Sequence, residues 1–250
     1  MRFLVQPVID RRGWEDQSEI WLDAHSDLVV LVALVLGFGL RLWAAWGVFL
    51  NPDEALHFFI ANQSSWALAY QASLTMAHPP LLILLLYAWR NIGTSELMLR
   101  LPAILAGTAF CWIFFKWLNR LFGKSVALTG LIFVSLLPPL VLLSAEVRQY
   151  EFLLLFIISA AYFLERALVE NSAGFMLLSS AFTCLSMLSH YSSFLYAAAL
   201  GVYSLWRIVS RKPAARVVMA WIGGQTLAVG LATVLYVCLL YTSPSPRDCS

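Results

Sequence analysis

The run "PPLLILLLYAW" at residues 79–89 decides the topology of this chain. A helix needs about 20 apolar residues to cross the hydrocarbon core, and this run falls well short. Pro79 and Pro80 stand at its start, where proline suits a first helical turn. We read it as an interfacial or re-entrant helix. If it crossed fully, every later loop would change sides. The basic clusters Lys116–Lys124 and Arg207–Arg216 would then both face outward, against the positive-inside rule.

Outward from that run, the chain of 250 residues is 61% hydrophobic and 12% charged, with mean hydropathy +0.78. A soluble domain of this size cannot hide so much apolar surface. The expected class is all-α, a polytopic transmembrane helix bundle of about seven spans. They fall at about 28–50, 97–118, 125–144, 148–168, 174–189, 192–209 and 217–240. Residues 1–27 read as a cytoplasmic segment with a surface helix around 15–24, and not as a cleavable signal. With that N-terminus inside, eleven of the sixteen basic residues lie in inner segments, and only Arg90, Arg100 and Arg148 lie in outer ones. The net charge of +2 is spread over short loops and gives no reason to expect nucleic acid. The four cysteines are far apart, without a CxxC, so neither disulfides nor zinc are expected.

The one long loop, 51–96, is expected on the outer side, carrying interfacial helices, with one along 58–77. Polar residues from four stretches meet at the same boundary: Asp53, Glu54, His57, His78, Glu96, Arg100, Glu146, Arg148, Gln149, Tyr150, Glu151, His190 and Tyr191. Such groups are costly there unless paired or hydrated, so their convergence suggests a site. Each also has a bland reading. Asp53 and Glu54 suit a helix cap near Ala55. Glu96–Arg100 and Arg148–Glu151 have the spacing of plain helix ion pairs. Arg41, about 13 Å inside the first span, requires a carboxylate, a carbonyl or water.

The order of these pieces resembles a known family. "PDEALH" at 52–57 is followed by "HPPL" at 78–81, "SELMLRLPAILAG" at 95–107, "NRLFGKS" at 119–125, "SAEVRQYEFLLLF" at 144–156 and "SHYSSFLY" at 189–196. Together they resemble the GT-C membrane glycosyltransferases of the protein O-mannosyltransferase and aminoarabinose-transferase type. The resemblance implies a catalytic module over 28–240, a polyprenyl-phosphate sugar donor, and a glycan, lipid or protein acceptor. Transfer would take place on the outer face of a membrane, here a bacterial inner membrane. It implies that Asp53 or Glu54 is the catalytic carboxylate, acting as general base on the acceptor hydroxyl. Arg100 and Arg148, with His78 or His190 as further donors, would face the lipid phosphate. His57, Glu146, Tyr150 and Tyr191 complete the expected substrate-binding set. Some relatives carry Lys where this sequence has His78. A divalent cation is left open by the resemblance, and no obligatory metal is expected, because hard cations need more oxygens than this stretch offers.

The tail "YTSPSPRDCS" at 241–250 breaks from the apolar pattern and reads as non-native sequence joined at a truncation near 240. The competing reading of the whole chain is a secondary transporter or channel with an outer polar vestibule. Against it, the ionisable residues gather at one face and no repeat is visible.

Overall fold

The computed structural model describes residues 11–76 and 78–237, with side chains from residue 25 onward. Its regular elements are helices: α1 (Arg11–Ala45), α2 (Pro52–Ala61), α3 (Trp66–Ser73), α4 (Leu81–Trp89), α5 (Glu96–Phe122), α6 (Lys124–Leu136), α7 (Pro138–Ser144), α8 (Tyr150–Val169), α9 (Ala173–Ser189), α10 (Ser193–Arg211) and α11 (Ala215–Leu235). His25–Ala45, α5, α8, α10 and α11 are long and apolar enough to cross a membrane. The count becomes six if α6 and α7, bent by 59°, form one broken span. At 17 residues α9 reaches only about 25 Å, shorter than those five helices. The surface helix expected near 15–24 is instead continuous with the first span, in α1. The tail at 241–250 and the expected truncation near 240 lie outside the described residues.

Residues 79–89 yield α4, whose nine residues reach about 13 Å and cannot cross a bilayer. Its Leu82, Ile83 and Leu86 bury against Ala61, Leu99 and Val147, tying the loop helices to the first turn of α5. The single helix expected over 58–77 is broken between Asn62 and Ser65. Ser65 caps α3 by accepting from the Leu68 N–H. Arg90 pins the break, donating to Asn62 Oδ1 and the Gln63 carbonyl, each at 2.6 Å.

Prolines shape the bundle, and side chains repair what they break. A proline lacks the N–H that would bond the carbonyl four residues earlier. Pro102 thus orphans the Met98 carbonyl, which accepts from Trp89 Nε1 at 2.8 Å. Pro138 and Pro139 orphan the carbonyls of Val134 and Ser135 at the α6–α7 bend. Arg41 fills that gap: Nη1 donates to Ser135 O at 3.0 Å and Nη2 to Val134 O at 3.5 Å. Its remaining N–H groups reach Gly37 O, Cys111 Sγ and Ser144 Oγ. All five guanidinium donors are used, which is how a fully buried arginine is kept inside a span. Of the partners such an arginine requires, backbone carbonyls supply three here, and the Ser144 hydroxyl and the Cys111 sulfur take the other two donors.

Gly107 of α5 lies against this knot. A methyl there would overlap Ser144 Oγ and come within 2.8 Å of Glu151 Oε2 and 3.1 Å of Arg41 Nε. Gly107→Ala is expected to destabilise the protein by about 1–3 kcal/mol through overpacking, measured as thermal unfolding in detergent. An unchanged unfolding temperature would refute this reading of the packing. At the opposite end of the bundle, α8 joins α5 through Arg120–Glu170 and α10 through the Glu165–Arg207 pair, and Arg166 braces Glu170 one turn away at the end of α8.

Candidate active site

The site grows from the start of α2. Asn51 is the N-cap, accepting from the Glu54 N–H at 2.9 Å while Glu54 Oε2 accepts from the Asn51 N–H at 2.9 Å. This capping box closes the first turn. It also aims the Glu54 carboxylate inward, where its exposure falls to 1%. There Arg100 meets it as a two-pronged pair, Nε to Oε1 at 2.8 Å and Nη2 to Oε2 at 2.7 Å. The other three Arg100 donors go to the carbonyls of Ala45, Val48 and Phe49, closing the end of α1. Arg100 pairs with Glu54, not with Glu96 as its spacing suggested.

Glu54 Oε1 also accepts from the Val147 N–H at 2.8 Å. The carbonyl of the same residue accepts from His57 Nδ1 at 3.0 Å, so Nδ1 carries the proton. Two side chains one helical turn apart thus clamp one residue of the 145–149 loop. That clamp sets Arg148 beside α2, where Nη2 donates to Asp53 Oδ2 at 2.6 Å and Nε lies 2.8 Å from Glu146 Oε2. Arg148 pairs with these two carboxylates rather than with Glu151. Asp53 and Glu54 are sequence neighbours with opposite fates: the Asp53 side chain is 63% exposed, that of Glu54 1%.

The stretch after α9 supplies the other wall. The His190 ring lies 5.3 Å from that of His78 and 5.7 Å from that of Tyr150. His190 Nδ1 accepts from the Ser192 N–H at 3.1 Å, which leaves the proton of a neutral ring on Nε2. His57, His190 and Arg148 all lie within electrostatic reach of His78. Tyr191 turns away to pack on Phe194. The expected residues therefore divide: Asp53, Arg148, Glu146, His57, His78, His190 and Tyr150 share this end, while Glu54 and Arg100 lie beneath it.

Burial opposes ionisation of Glu54, but the bonds from Arg100, Asn51 and Val147 outweigh it and hold the carboxyl below its usual range. The histidines move the other way in charge. Burial, then the nearby His190, His57 and Arg148, lowers His78 below the ordinary imidazole value of 6.5. Burial lowers His190 and, against the Val147 bond, His57. The folded chain then binds fewer protons than the unfolded one as pH falls through this range. The stability tied to neutral histidines is full above pH 6.5 and declines below it. We expect the unfolding temperature to drop on acidification from neutral pH, and His78→Gln to flatten that drop. A slope unaltered in the variant would count against the assignment.

The family model for dolichyl-phosphate-mannose-protein mannosyltransferases matches residues 77–237, more than half of the chain. The chain belongs to that family. It is a membrane glycosyltransferase of the mannosyltransferase type, using a lipid-linked sugar donor. No curated protein matches the chain. The matched region of this mannosyltransferase-family protein takes in His78, Arg100, Arg148 and His190, and it begins after Asp53, Glu54 and His57.

The donor set of the loop does not fit a divalent cation. Both Glu54 oxygens are occupied by N–H donors, and among the described residues no three His, Cys, Asp or Glu side chains converge. Two residues that shape this arrangement were not among the expected ones. Asn51 was legible in principle, as the cap of an N-x-x-E box. Val147 was not, because it acts through its backbone.

Proposed function

We propose that this mannosyltransferase-family protein transfers a sugar from a polyprenyl-phosphate donor to an acceptor hydroxyl at the outer membrane face, with Asp53 as general base. The observation that carries the assignment is the contrast between the two acids. Asp53 is exposed and, among the described residues, bonded only by Arg148. Glu54 is buried with its lone pairs filled. In the reaction, Asp53 takes the proton as the acceptor oxygen attacks the anomeric carbon. The bond from that carbon to the phosphate oxygen breaks, and the lipid phosphate leaves.

The leaving phosphate needs positive charge or donors. Arg100 has no donor left for it, so the role passes to Arg148, with His78 and the Nε2–H of His190 alongside. An arriving phosphate competes with Asp53 for Arg148. Binding of the donor thus frees the base at the moment it is required. Glu54 and Arg100 position this machinery without touching substrate.

The orientation is supported by Arg120, Arg166 and Arg207, which lie at the end of α8 away from Asp53, as the positive-inside rule expects of an inner side. The test is incubation of membranes carrying the protein with candidate polyprenyl-phosphate sugars, following release of polyprenyl phosphate. Acceptor-dependent release supports the reading. Solute flux in proteoliposomes with no consumption of the sugar lipid would replace it with the transporter reading.

A further inference from the structure

Below the 145–149 loop, where α7 ends and α8 begins, lies a buried acid without an assigned role. Glu151 is fully buried, and neither carboxylate oxygen accepts a hydrogen bond from another residue of the protein. A lone buried carboxylate in a membrane bundle is costly and rarely incidental. Its surroundings are specific. Ser144, the last residue of α7, accepts from Arg41 Nε at 3.0 Å and donates to the Leu140 carbonyl at 2.7 Å. The missing side chain of Gly107 leaves the space in which Arg41, Ser144 and Glu151 approach one another. The hydrogen-bond partners of Arg41 are neutral, and Glu151 is the acidic side chain that meets the guanidinium across the Gly107 gap, without a direct bond to it.

We propose that Glu151 is a positioning residue for sugar transfer, acting through Arg148; this rests on the function proposed above. Ser144 and Glu151 flank the loop that carries Arg148. Arg41 bonds Ser144 and lies close to Glu151 from below, while Glu54 and His57 hold Val147 from above. The loop is therefore fastened on two sides, and Arg148 leaves it at a defined place beside Asp53. Replacing the Glu151 carboxyl group loosens the α8 side of the lower fastening, while the Arg41–Ser144 bond keeps the α7 side. The upper clamp persists, so Arg148 stays near the site but loses its aim.

A double-mutant cycle in the full chain separates this from a merely structural role. Glu151→Gln preserves shape and replaces the carboxyl group with an amide. In the background with Arg148 intact it is expected to lower kcat/KM by about tenfold or more, since small displacements of a reacting group are costly. In an Arg148→Gln background the same change is expected to cost less than about twofold, because the residue it acts through is gone. Losses that multiply in the two backgrounds would overturn the proposal, as would near-normal kcat/KM in Glu151→Gln. If Glu151→Gln does not accumulate as folded protein, Glu151→Asp enters the same cycle and is judged by the same two results. Failure of the parent function is seen separately, as absence of sugar-lipid consumption by the unaltered protein.

Discussion

Asp53→Asn is expected to reduce sugar transfer by about 10²–10⁴-fold while the protein accumulates and unfolds normally. The amide keeps the size of the side chain and can still contact Arg148, but it cannot take a proton. The side chain is largely exposed and lies outside the apolar clusters, so little stability depends on it. The measurement is acceptor-dependent release of polyprenyl phosphate from purified protein in lipid, beside its thermal unfolding. Near-normal release would remove Asp53 from the mechanism. A loss of activity matched by loss of folded protein would assign it a structural role instead.

Glu54→Ala and Arg100→Ala are expected to act in the opposite way, each lowering stability by about 3–5 kcal/mol, with activity lost because the protein no longer folds. Either change leaves a buried charge alone. The double variant is informative. For a simple buried ion pair, removing both charges restores stability. Here the Asn51 and Val147 N–H groups and the Ala45, Val48 and Phe49 carbonyls would lose their partners together. Each orphaned group costs about 1–3 kcal/mol, so the double variant is expected to stay as unstable as the singles. Recovery of the unfolding temperature in the double variant would show that the pair, and not the network, supports the fold.

These two predictions separate residues that stand side by side in the chain. Neighbours on a helix point about 100° apart, so one of Asp53 and Glu54 had to face away from whatever the other faced. Which one turned inward depended on Asn51 and on Arg100, a residue 46 positions away from Glu54. The i,i+4 spacing of Glu96 and Arg100 and the i,i+3 spacing of Arg148 and Glu151 suggested local pairs, and both arginines found better partners at long range. An exposed local pair contributes a few tenths of a kcal/mol, whereas a buried two-pronged pair with every donor filled is far harder to give up.

The amino-acid sequence by itself determined that the chain is helical and membrane-embedded, that residues 79–89 are too short to cross, and that Asp53, His78, Arg148 and His190 gather at one end. Those conclusions rest on run length and on the cost of charge in hydrocarbon, both of which act locally along the chain. The tertiary structure alone decided which acid is buried, which arginine remains available and why Arg41 is tolerated inside a span. Such outcomes depend on donors and acceptors from distant helices meeting within about 3 Å, and on backbone carbonyls freed by prolines. Spacing in sequence carries no record of either.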